Sequence, residues 1–140
     1  MRLGWSVLCR DFIVHDDGSL SLERVYADSK LEVSVTEPPP TQVSLSPAII
    51  LISHWFPETD LDPRRYPAIL RIVAPEDNQI LEEWHFSIDF LHTDFRLAIF
   101  HIDELTFVGD GLYEFHIEVL EYGEWNIMSR NSLYVSNTVL

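Results

Sequence analysis

Phe107-Val-Gly-Asp-Gly-Leu-Tyr-Glu-Phe-His-Ile-Glu-Val119 decides the fold. Gly109 and Gly111 close a tight turn. After it, Tyr113, Phe115, Ile117 and Val119 fall on one side and Glu114, His116 and Glu118 on the other. A period of two marks a half-buried strand, because successive side chains of a strand point to opposite faces. The stretch predicts an antiparallel β protein in two layers, and it points to no reaction.

Working outward, the same signals recur. Trp125–Met128 and a short strand at 133–135 follow the turn at Tyr122-Gly123. Leu97–Ile102 precedes the opening stretch. Residues 80–90 fit a helical stripe through Ile80, Trp84 and Ile88. They also alternate as Trp84, Phe86, Ile88 and Phe90, and their aromatic and β-branched content favours strand. Ala68–Ala74 reads as a strand. Ala48-Ile-Ile-Leu-Ile52 is short and apolar throughout, which suits a strand covered on both sides. Pro38-Pro39-Pro40 offers no N–H to a ladder, so it should cross from one sheet to another. Before it, Leu31, Val33 and Val35 alternate with Glu32 and Ser34. Residues 5–14 and 20–26 flank Asp17-Gly18, a strong hairpin signal because glycine takes the positive φ such turns require. The expected fold class is all-β, a single antiparallel β-sandwich of about eight or nine strands, forming one domain over 1–140.

Composition narrows the partners. The net charge is −14, from 23 Asp and Glu against 9 Lys and Arg. Such a surface repels nucleic-acid phosphates and anionic lipid heads, so neither nucleic acid nor membrane is expected. The acids are scattered through alternating strands rather than set in rows, which argues against a DNA mimic. No apolar run reaches the ~20 residues of a membrane helix, no signal peptide is evident, and the cytoplasm is the expected compartment. With one cysteine, Cys9, there is neither an intrachain disulfide nor a cysteine-based zinc site.

The stretch Gly109-Asp-Gly-Leu-Tyr-Glu-Phe115 resembles the tyrosine corner of immunoglobulin-like sandwiches. Tyr113 holds the tyrosine place, Gly111 the glycine before it, and Phe115 the place of the second cysteine. Asp110 is displaced by one position. More broadly, Leu8-Cys9-Arg10-Asp11, Asp17-Gly18-Ser-Leu-Ser-Leu22 and Gly111-Leu-Tyr-Glu-Phe115 make the chain similar to an uncharacterised family of small bacterial β-sandwich proteins. That resemblance implies the architecture and carries no catalytic residue.

The chemistry-bearing constellations fail on spacing. The histidines are His15, His54, His85, His92, His101 and His116, with no His-x-His pair. A metal would need His101 with Asp103 and His116 with Glu118 to meet across one strand pair. Calcium would need Asp16 and Asp17, Asp60 and Asp62, and Asp103 and Glu104 to converge. Each set also suits ordinary solvated turns and faces. Cys9 sits in an apolar strand, and no nucleophile elbow or phosphate loop is present. No cofactor is expected and no catalytic residue is assigned.

The remaining lead is the proline-bearing loop Phe56–Pro67, where Arg64, Arg65 and Tyr66 are residue types favoured at binding hot spots. Trp5, Trp55, Trp84 and Trp125 cannot all be placed inside, and an exposed one would mark a contact surface. The sequence therefore favours a non-catalytic protein-binding or assembly module, its partner another protein or a second copy, met through a sheet edge or this loop. The alternative is a small-molecule- or metal-binding jelly roll, possibly an enzyme, with His101 and His116 side by side in a cavity.

Overall fold

A computed structural model describes residues 1–26, 30–59, 62–90 and 96–138. Asp60 and His92 lie outside the described residues. The strands are β1 (Arg2–Cys9), β2 (Asp11–Val14), β3 (Leu20–Glu23), β4 (Lys30–Val33), β5 (Thr41–Phe56), β6 (Arg65–Val73), β7 (Ile80–Asp89), β8 (Arg96–Phe107), β9 (Gly111–Glu121) and β10 (Glu124–Asn137). The fold is all-β, and the described residues include no helix.

The strands form a three-stranded sheet ordered β1-β5-β8, a five-stranded sheet ordered β4-β10-β9-β6-β7, and the separate hairpin β2–β3. Against the expected eight or nine strands in one antiparallel sandwich, the described residues form ten strands in three sheets. One pairing, β4 with β10, is parallel. Alternation along Leu31–Val35 fixes which side chains share a face, but it is identical for either strand direction. β5 begins at Thr41, seven residues before the apolar run, because its register shifts between Ser44 and Ile49. The two short strands expected at 125–128 and 133–135 are one strand, β10, with a register shift between Ile127 and Ser129.

β9 behaves as its alternation requires. Tyr113, Phe115, Ile117 and Val119 are buried, and each fully buried side chain of this size contributes roughly 1.5–3 kcal/mol. They join Leu70 and Ile72 of β6, Leu133 and Val135 of β10, and Ile49, Leu51, Trp55, Leu105 and Phe107 of the other sheet in one core. Ile50 and Ile52 point the opposite way, and with Cys9 they pack under Phe12 and Leu22 of the hairpin. The run Ala48–Ile52 is thus apolar on both sides because both sides are covered. Cys9 is a free, fully buried thiol, and burial pushes its pKa up.

Ile80–Asp89 is strand, and Phe90 follows it. Trp84, Phe86 and Ile88 stand opposite Leu70, Ala68 and Tyr66, on the core side. The segment from 34 to 40, with its three prolines, carries the chain from the five-stranded to the three-stranded sheet.

Candidate functional site

β7 ends the five-stranded sheet and β8 ends the three-stranded one. They meet along one side of the molecule, where the ring of Phe86 packs edge-on against Phe100, centroids 4.8 Å apart. β7 pairs with β6 along one side only. Among the described residues, the backbone groups on its other side have no strand partner. Trp84, at the middle of this edge, remains 39% exposed although its cross-strand partner Leu70 is fully buried.

The same edge is acidic. Glu82 receives a 3.4 Å hydrogen bond from the Thr106 hydroxyl. Burial pushes its carboxyl pKa up, the negative charges of Glu104 and Asp103 add to this, and the Thr106 hydroxyl opposes it. No cation is paired with any of these three carboxylates among the described residues. The face of β7 turned away from the core differs. There Arg71 on β6 bridges Glu83, at 2.8 Å, and Glu118 of β9, and Glu83 also meets His85 at 2.9 Å. The Glu83 carboxyl is held below its usual range, first by Arg71 and then by His85. The outer face of the sheet thus sets an arginine among its carboxylates, whereas the edge has no such cation among the described residues.

Of the residues expected in a binding loop, Arg65 and Tyr66 belong to β6. Tyr66 is 1% exposed, stands opposite Ile88, and meets Phe90 edge-on at 6.2 Å. Its place as a surface contact is corrected: strand alternation turns it into the core. Burial, then the charges of Asp62 and Glu121, push its phenol up to about 12. The Arg64 guanidinium donates to the Phe90 carbonyl oxygen. Arg65 is two-thirds exposed and lies 3.5 Å from Asp89.

The pairing required for a metal-binding jelly roll is not formed. His101 stands opposite Ile50 on the hairpin side of the three-stranded sheet, near the Phe12 ring. His116 stands opposite Arg71 and Arg130 on the outer face of the five-stranded sheet, its Nε2 3.6 Å from Glu114. The core separates the two. Among the described residues no three His, Cys, Asp or Glu side chains are grouped to hold a metal. Asp17 caps its own turn through the Ser19 N–H and hydroxyl. Asp62 accepts the Glu58 and Thr59 N–H groups.

The edge position of β7 was missed by sequence reasoning, because it follows from strand order. The legible signal was its composition: Trp84 and Phe86 beside Glu82 and Glu83 suit a strand that is neither fully covered nor left bare. No protein-family model matches the chain, and comparison with curated proteins gives no match either.

Proposed function

We propose that the chain is a non-catalytic protein-binding module that takes up an extended, basic segment of a partner protein along the free edge of β7. The carrying observation is that edge: a ten-residue strand paired on one side only among the described residues, with Trp84 exposed at its centre and unneutralised Glu82, Asp103 and Glu104 beside it. An incoming strand would satisfy the open backbone groups, place an apolar side chain against Trp84, and bring cations to the carboxylates. A second copy of this chain fits less well, because each copy carries a charge of −14 and would set like charges together.

We read the architecture as a β-sandwich, immunoglobulin-like in a loose sense. Two features support this: one core shared by the two larger sheets, and the hydrogen bonds of the Tyr113 hydroxyl to the turn just upstream.

The test is a titration of 15N-labelled protein with a short synthetic peptide alternating lysine and valine, against one alternating glutamate and valine. The basic peptide should shift β7 amides saturably, and Trp84→Ala should weaken that binding while leaving the fold intact. Equal binding of both peptides, or shifts confined to β1 or β4, would sink the proposal.

A further inference from the structure

Three of the nine Lys and Arg residues line one cleft of an otherwise acidic molecule. The cleft lies between the end of β3, β4 and the first half of β5, with a volume of about 720 Å³, within the range of small-molecule sites. Arg10, Arg24 and Lys30 face it, opposed among the described residues by one lining carboxylate, Glu32. Neither guanidinium forms an ion pair or hydrogen bond with a described carboxylate. The Lys30 ammonium is partly engaged, 5.6 Å over the Tyr134 ring.

We propose that this cleft binds a small organic anion, an oxyanion head on an apolar body, with Arg10 and Arg24 holding the head. The site does not depend on the β7 edge, which lies at the far end of the five-stranded sheet. Its arginines are held in place by the backbone. The Arg10 N–H donates to the Glu23 carbonyl at 3.2 Å, and the Tyr26 N–H donates to the Leu8 carbonyl at 2.7 Å. These bonds fasten the segment bearing Arg24 to the end of β1. Arg24 itself has φ 54, a left-handed conformation that a branched or bulky residue adopts only under constraint. Burial pushes the Tyr26 phenol up, and the charges of Arg10 and Arg24 oppose that shift.

The rest of the wall sets the ligand class. Val43 and Leu45 present apolar surface, and Ser44 and Ser46 lie along the same rim. A guanidinium pair grips a carboxylate or phosphate through forked, charge-assisted hydrogen bonds. The molecule's overall negative charge opposes such a ligand only weakly, because salt screens charges beyond ~8 Å at physiological ionic strength.

The experiment follows side-chain Nε–H signals of arginine in the full chain during titration with hexanoate, hexyl phosphate and hexylammonium. Saturable shifts at Arg10 and Arg24 with either anion, and none with hexylammonium, support the site. The double variant Arg10→Gln, Arg24→Asn should bind roughly tenfold or more weakly. Asparagine tolerates the left-handed backbone at position 24. Arg130→Gln, on the outer face of the five-stranded sheet, should bind as the native chain does. No saturation with either anion, equal response to hexylammonium, or undiminished affinity in a folded double variant would overturn the proposal.

Discussion

The hydroxyl of Tyr113 donates to the carbonyl oxygen of Gly109 at 2.8 Å, and so ties β9 back to the turn that launches it. The Tyr113 hydroxyl oxygen in turn accepts the Val108 N–H at 2.9 Å. Tyr113→Phe keeps the buried ring but strips a partner from both backbone groups. Leaving such groups unsatisfied costs about 1–3 kcal/mol. Urea denaturation should show a loss of that size with an unchanged slope. Unaltered stability would mean that the corner contributes nothing to the fold.

Tyr66 and Arg65 are neighbours in sequence with opposite expected outcomes. Tyr66→Ala empties a fully enclosed site between Ile88 and Phe90, and comparable aromatic truncations cost about 3–5 kcal/mol. Arg65→Ala removes an exposed pair with Asp89, and such pairs are worth about 0–1 kcal/mol. Thermal melting of the two variants separates them. Similar melting temperatures would contradict the burial of Tyr66.

Asp62 accepts hydrogen bonds from the Met1 ammonium at 3.0 Å and the Glu58 N–H at 2.7 Å. These hold its carboxyl pKa down to about 2, against an ordinary 3.8. A depressed carboxyl stabilises the fold above its unfolded pKa, and that contribution is lost as pH falls through the folded value. For the Met1 ammonium, burial alone would lower the pKa, but hydrogen bonds to Asp62 and Glu121 outweigh it and raise the group above 8.0. Its contribution is present below 8.0 and fades as pH rises through the raised value. The stability difference between the native chain and Asp62→Asn should therefore be largest between about pH 4 and 8 and shrink on either side. A difference that does not shrink below about pH 4 or above about pH 8, followed by denaturation, would show that the ion pair is not formed.

Gly111 and Gly18 both have positive φ, 156° and 85°. A methyl group added at Gly111 would lie 2.6 Å from Pro75 Cβ, whereas at Gly18 it meets open space. Gly18→Ala should cost only the backbone term, about 1–2 kcal/mol. Gly111→Ala should cost more, because the 74–79 turn must also move. Equal losses in chemical denaturation would contradict the close approach.

The elements that the sequence made legible are those whose side chains meet the same surroundings along their whole length. β9 alternates because one face meets the core and the other meets ion pairs. Ala48–Ile52 is apolar throughout because the hairpin covers its second face. β10 was hidden in its middle, where Ser129, Arg130, Asn131 and Ser132 resemble a turn. In the structure, Ser129 is buried and Asn131 donates to the Ser6 hydroxyl at 2.8 Å, so polar residues occupy an inward stretch facing β1. Direction was invisible for β4, since parallel and antiparallel pairing use the same alternation. Tyr66, set beside two arginines and several prolines, looked like loop surface; only its pairing with Ile88 shows that it faces inward. The β7 edge and the Arg10–Arg24 cleft depend on strand order and on segments far apart in the chain, which local patterning does not carry.

The most direct measurement is amide hydrogen exchange along β7, with and without the lysine–valine peptide. In the free protein, amides bonded to β6 should exchange slowly and those between them quickly, giving an alternating profile from Ile80 to Asp89. With the peptide bound, the fast amides should become protected while β1 and β4 stay unchanged. Uniform protection of β7 in the free protein, or no added protection at saturating peptide, would contradict capture of a strand at this edge.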